Sequence, residues 1–207
     1  MREIILPAEL SARLADVYAA IQSEYDRVAG QIGLTCTNCP DNCCDSYFLH
    51  YTYAEWSYLW EGLQSLDAGT RDRITDQAKL YIEESRRTLS SGIRPQHMCP
   101  LNCEGRCLLY THRLMICRLH GIPATMTRPD GRMLRFPGCF RCQEIVNASP
   151  REKEPPTMDR TSILRKVAAI ESELLGGKRH LYPKVRRTIA EMIVHGPPMV
   201  DKPFCER

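Results

Sequence analysis

From Pro7 onward, apolar side chains recur every three or four positions, at Leu10, Leu14, Val17, Ile21, Tyr25, Val28 and Ile32, and Gly33 follows. At 3.6 residues per turn this spacing keeps one helical face apolar, so it predicts a long amphipathic helix that stops at Gly33. Thr52-Tyr53-Ala54-Glu55 has the order of a capping box and predicts a helix through Trp56, Leu59, Trp60, Leu63 and Leu66. Thr70 is the expected cap of a third helix, with Ile74, Ala78, Tyr81, Ser85 and Leu89 on its inner face. Two more helices are expected nearer the C-terminus. One covers about 159–175, with Ile163, Leu164, Val167, Ile170 and Leu174 inward and Gly176-Gly177 as its end. The other runs from Pro183 to about His195, closed by Gly196 and Pro197-Pro198.

The pattern breaks over 92–142. Ten glycines and prolines, from Gly92 to Gly138, punctuate this stretch too densely for long elements. A short helix near 111–117 and a small hairpin around 132–136 are all that the periodicity supports there. The expected fold is therefore mostly α, with helices packed around an irregular, cysteine-rich region and room for one small β-hairpin. Along the chain this gives a helical cysteine-cluster domain over 1–147 and a proline-rich, charged connection over 148–158. C-terminal helices over 159–207 are expected to pack on that domain and to end in a mobile tail.

Composition changes the picture at one residue type. A chain of 207 residues with 43% hydrophobic and 26% charged residues is ordinary for a globular domain. Eleven cysteines are not, and ten of them lie between Cys36 and Cys142. The first residues carry acidic side chains and no apolar core of a secretion signal, which points to a reducing cytoplasm, where structural disulfides do not persist. The odd total and the adjacent pair Cys43-Cys44 also suit disulfides poorly. No apolar run is long enough to span a membrane, so no membrane partner is expected.

Charge is split. Residues 1–150 carry 16 basic and 17 acidic side chains, and residues 151–207 carry 12 and 8. The basic tail, with Lys178-Arg179-His180, Lys184 and Arg186-Arg187, has little aromatic interleaving and is far from a strong nucleic-acid footprint. A solvated basic face is the expectation, and nucleic acid is not an expected partner.

The cysteines have metal-ligand spacing. In Cys36-x2-Cys39-x3-Cys43-Cys44, two intervening residues let the chain turn once so that both thiolates face one point, as in zinc and iron-sulfur sites alike. Adjacent residues point in different directions, so Cys43 and Cys44 are not expected to hold the same ion. One of them serves a second site, another iron or open chemistry, or is a small buried hydrophobe. In Cys99-Pro-Leu-Asn-Cys103-Glu-Gly-Arg-Cys107, Pro100 and Gly105 argue for a loop folding around a metal. Cys117, with Arg118 and His120 beyond it, ends the short helix, and Cys139-x2-Cys142 closes the array. Ten thiolates exceed one four-ligand site, so two zinc ions, two clusters, or one cluster with a further metal or reactive thiol all fit the number. His50, His97, His112 and His120 lie near enough in sequence to complete a site. Cys205, close to the C-terminus, is taken as a bystander.

These motifs resemble the YkgJ-type cysteine-cluster family, the bacterial CxxCxxCC zinc- or iron-chelating domain. The resemblance rests on Cys36-x2-Cys39-x3-Cys43-Cys44, on Cys99-Pro-Leu with Cys107-Leu-Leu-Tyr110, on Arg113-x3-Cys117-Arg118 with His120-Gly121, and on Gly138-Cys139. It implies Cys36, Cys39, Cys43, Cys44, Cys99, Cys107, Cys117 and one of Cys139 or Cys142 as ligands. Three residues here, rather than two, precede the double cysteine, Leu114 stands where the family has proline, and Cys103 is additional.

The function expected is metal binding, by an iron-sulfur cluster of the 4Fe-4S type, in a redox or redox-supporting role with a protein or redox partner that the sequence does not identify. Arg113, Arg118 and Arg141 lie where they would favour thiolates and raise a cluster's potential, or make ordinary surface ion pairs. Zinc is the alternative cofactor, folding the glycine- and proline-rich region as an interaction module. A related group, the flagellin lysine methylases, adds methyl transfer as a further alternative, although no glycine-rich loop after a strand is present to hold S-adenosylmethionine. No catalytic residue is assigned.

Overall fold

The structure is a computed structural model and describes residues 1–37, 39, 43–148 and 154–201. In chain order its main elements are β1 (Arg2–Glu3), α1 (Ala8–Ile32), α2 (Tyr53–Gln64), α3 (Ala68–Ser90), β2 (Asn102–Cys103), β3 (Arg106–Cys107), α4 (Met115–Leu119), β4 (Ala124–Thr127), β5 (Met133–Phe136), α5 (Phe140–Ala148), β6 (Met158–Asp159), α6 (Arg160–Leu174), α7 (Ile189–His195) and β7 (Met199–Val200). The fold is mostly α with small sheets, as the periodicity predicts. No helix among the described residues is long and apolar enough to cross a membrane.

The predicted first helix forms as α1, with Leu10, Leu14, Val17, Ile21, Val28 and Ile32 buried along one stripe. At α2 the Thr52 hydroxyl accepts the Glu55 N–H at 3.2 Å and donates to the Glu55 carboxylate at 2.9 Å. That helix ends before Leu66, because the Ser65 hydroxyl takes the Gly62 carbonyl at 2.7 Å and a new helix starts two residues on. The cap of α3 is Asp67 rather than Thr70: its carboxylate accepts the Thr70 N–H at 2.9 Å, so Thr70 is already helical. Ile74, Ala78, Tyr81 and Ser85 are buried as expected, while Leu89 is 48% exposed near the frayed end. The last helix is shorter than its pattern. Residues 182–187 are not helical, and α7 starts at Ile189, where Thr188 and Glu191 form a complete capping box.

The chain divides into two compact units, each discontinuous in sequence. One comprises Met1–Ser11, Cys44–Leu114 and Glu171–Arg207. In it α3 packs on α7, and Trp56, Leu59, Ile74, Leu114 and Met192 are among the residues of its core. β1 pairs with β7 antiparallel, so residues from the two ends of the chain close one small sheet. Glu171, only 5% exposed, turns its carboxylate onto the first turn of α2 and accepts the N–H groups of Tyr53 at 3.1 Å and Ala54 at 2.8 Å. A helix start leaves such donors without partners, and a carboxylate there also meets the positive end of the helix dipole. Burial raises the Glu171 pKa, while these bonds and the Arg179 guanidinium, 3.4 Å away, oppose that rise.

The other unit comprises Ala12–Cys43 and Met115–Ile170. The expected hairpin is present as β4 and β5, and it is extended by β6, which runs parallel to β4. Arg160 donates to the Leu119 carbonyl at 2.7 Å while its guanidinium lies 4.5 Å from the centre of the Phe136 ring, which ties the start of α6 to the hairpin. Helix α5 and the two-residue strands β2 and β3 lie outside the sequence expectation, since dense glycine and proline mask short elements. Much of the predicted connection, residues 149–153, lies outside the described residues, as does Cys205.

Candidate metal centre

All ten cysteines from Cys36 to Cys142 are described, and no disulfide joins any of them. Six of them fall into two sets of neighbours.

The first group joins Cys44, which precedes α2, to the irregular chain between α3 and the end of β3. Residues 44–47 run antiparallel to residues 94–99: Ser46 bridges Gln96, the Gln96 side chain donates to Asp45 at 3.1 Å, and Arg94 donates to the Tyr47 carbonyl at 3.1 Å. The register ends with the Cys99 N–H donating to the Cys44 carbonyl at 2.9 Å. Beyond Pro100 the chain turns, with the Asn102 N–H bonded to the Cys99 carbonyl at 2.9 Å. The β2–β3 hairpin then returns, pairing Asn102 with Cys107 and Cys103 with Arg106. Cys99, Cys44 and Cys107 are half-buried, and Cys44 and Cys107 are electrostatic neighbours of Cys99, while Cys103 is exposed. Burial pushes the Cys99 thiol up to about 12, and the neighbouring Cys44 and Cys107 sulfurs push the same way.

The second group surrounds Tyr25 on α1. Its hydroxyl lies 3.9 Å from the Cys36 sulfur. Cys139 and Cys43 are also electrostatic neighbours of the phenol, whose pKa is raised first by burial and then by these sulfurs. Two glycines make this approach possible. Gly121, at φ +117°, has the Tyr25 hydroxyl where a Cβ would stand, at 2.5 Å. Its carbonyl accepts the Cys139 N–H at 3.0 Å. Gly138, at φ +87°, leaves room for that carbonyl and for the Cys142 sulfur, which would lie 2.7 and 3.1 Å from an added Cβ. Both φ values are in the region that favours glycine, so His120-Gly121 and Gly138-Cys139 have a backbone reason for their glycines.

The Cys39 N–H bonds the Cys36 carbonyl at 3.2 Å, as the two-residue spacing predicts. Cys117 is half-buried on α4, and Cys142 is fully buried on α5. Arg118, next to Cys117, is buried with its guanidinium 4.6 Å from the centre of the Tyr18 ring, and Arg113 lies 3.9 Å over Tyr110. Three of the four histidines proposed to complete a site have other surroundings. His97 bonds the Thr88 hydroxyl at 3.0 Å and lies 3.6 Å from Glu84, while the His112 ring packs 4.6 Å from Tyr58 and bonds the Thr111 hydroxyl at 3.1 Å. His50 is buried in the core, and burial lowers its pKa to about 3.

In donor chemistry both groups fit a thiophilic metal: sulfur donors brought near one another with no disulfide among them. Their closure is incomplete, since among the described residues no three Cys, His, Asp or Glu side chains converge as a metal-holding set. Tyr25 is the residue that sequence reasoning missed. It occupies an apolar-stripe position of α1, and nothing in the period distinguishes a phenol that meets sulfurs from one that fills a core.

Comparison with protein-family models, with curated proteins and with solved structures gave no match to this chain in any of the three.

Proposed function

We propose that this chain is a thiolate-ligated metal protein, carrying iron-sulfur chemistry in a redox or redox-supporting role. The observation that carries this reading is the gathering of cysteines distant in sequence, Cys44 with Cys99 and Cys107, and Cys36 and Cys43 with Cys139, with no disulfide among them. Thiols are weak ligands until deprotonated, and a set of them on irregular chain stretches, from the exposed Cys36 and Cys43 to the half-buried Cys99, has a physical purpose when deprotonated onto a metal. The engagement of His97 and His112 elsewhere leaves sulfur as the main donor, which suits iron-sulfur ligation. When bound, such a cluster supplies one-electron transfer. The chain's own contribution is to hold the thiols and to set beside them donors such as the Tyr25 hydroxyl, which would tune a cluster's potential.

A zinc-stabilised module is the second reading, favoured by the two-residue strands β2 and β3, which carry Cys103 and Cys107 on a stretch with little regular structure of its own. Purification without oxygen, followed by visible spectroscopy and iron, sulfide and zinc analysis, tests both. Brown protein with iron and acid-labile sulfide is the expected result. Colourless protein with stoichiometric zinc supports the second reading, and protein without bound metal after reconstitution with either overturns both.

A further inference from the structure

We propose that a cavity where α3 packs on α7 binds a small α-amino acid as its zwitterion, with the ammonium against Glu191 and Ser85 and the carboxylate against Arg86. Its residues are not those of the cysteine groups, so the site stands apart from the metal-binding reading.

The cavity has a volume of about 110 Å³ and is lined by Tyr47, by Tyr81, Ser85 and Arg86 of α3, and by Thr188 and Glu191 at the start of α7. Pockets for cofactors and drug-sized molecules run to roughly 300–1,000 Å³, so this one has room for only a few non-hydrogen atoms. Its frame is held in place. α3 packs on α7, the capping box fixes Thr188 and Glu191, and Arg94 donates to the Tyr47 carbonyl at 3.1 Å.

Ser85 is 5% exposed, and its Oγ has no hydrogen-bond partner among the described residues. A helical serine can return its hydroxyl to the carbonyl four residues back, and this one does not. The Tyr81 phenol is its neighbour, without the geometry of a hydrogen bond. Leaving a buried hydroxyl unbonded costs stability, so a partner from solution is its natural complement. Glu191 takes both bonds from Thr188 on Oε2, at 2.7 and 3.1 Å, and Oε1 accepts none among the described residues. Arg86 makes no ion pair among the described residues.

These groups select the ligand. An ammonium carries three donors and no acceptor, which suits a free carboxylate oxygen beside hydroxyl lone pairs, and a guanidinium matches a carboxylate. An anion alone would meet the like charge of Glu191, and a cation alone that of Arg86. A molecule with both charges a few atoms apart satisfies the two ends within so small a volume.

Isothermal titration calorimetry of the full-length protein with L-alanine tests this. Saturable binding with a Kd of about 1 mM or tighter is expected. Methylamine and acetate, each with half of the charge pattern, should bind at least about tenfold more weakly. Ser85→Ala should weaken alanine binding about tenfold and leave the unfolding midpoint of the free protein unchanged or raised, because it removes a buried hydroxyl without a partner. Glu191→Gln keeps the capping box, since glutamine serves that position as glutamate does, and should weaken binding about tenfold, as should Arg86→Gln. No saturable binding, alanine affinity unchanged in any of the three variants, or methylamine or acetate binding as tightly as alanine overturns the inference. A loss of stability in Ser85→Ala would give that hydroxyl a structural role and overturn it as well.

Discussion

The Cys99 amide donates to the Cys44 carbonyl at 2.9 Å, across 55 residues of chain, and this backbone bond holds a half-buried thiol that has Cys44 and Cys107 as electrostatic neighbours. Because the thiolate and not the thiol reacts, a sulfur whose pKa is pushed up to about 12 is protected from alkylation. In metal-free, reduced protein at pH 8, Cys99 should react with iodoacetamide at least about a hundredfold more slowly than the exposed Cys103. Peptide mapping by mass spectrometry after timed labelling measures the ratio. Equal rates would mean that the first group is open to solvent.

Glycine at 138 is required twice, by its φ of +87° and by the Gly121 carbonyl that an added Cβ would meet at 2.7 Å. Gly131 has a similar φ, +82°, with nothing within 4 Å of the added atom. Gly131→Ala should therefore cost about 1 kcal/mol from backbone strain alone, and Gly138→Ala about 3 kcal/mol or more, because a backbone atom cannot swing aside. Urea unfolding of the two variants gives the comparison. Similar losses would show that the close approach of the Gly121 and Gly138 segments does not matter to stability.

His50 is 2% exposed, and its Nε2 has no hydrogen-bond partner among the described residues. Burial holds its folded-state pKa near 3 against an ordinary value of 6.5. Between those values the unfolded chain binds the extra proton and the folded chain does not, so stability rises with pH across that window. It should be complete above about pH 6.5 and fall on acidification by up to about 1.4 kcal/mol per pH unit. From pH 7 to pH 5 the loss attributable to His50 should be about 2 kcal/mol. His50→Leu should flatten the dependence over that range. Unfolding midpoints at the two pH values decide, and an unaltered slope in the variant would place the acid sensitivity in other groups.

The sequence by itself determined the helices whose stripe and stop signals agree. The Leu10–Ile32 repeat before Gly33 gave α1, Thr52 with Glu55 gave the start of α2, and Ile163, Val167 and Ile170 gave the buried face of α6. Periodicity and capping are local, within one or two turns, and are legible along the chain. The spacing of the cysteines is local too, which is why the Cys36–Cys39 turn was predictable. What the tertiary structure decided are contacts between segments far apart. Glu171 reaches the first turn of α2 from the end of α6, and Asp67 displaces Thr70 as the cap of α3 by taking its N–H. Tyr25 turns a stripe position into a neighbour of sulfurs, and of the adjacent Cys43 and Cys44 the first neighbours Tyr25 and the second Cys99. Each outcome depends on which distant segment supplies a donor or acceptor, and that depends on packing, which residue spacing along one chain does not encode.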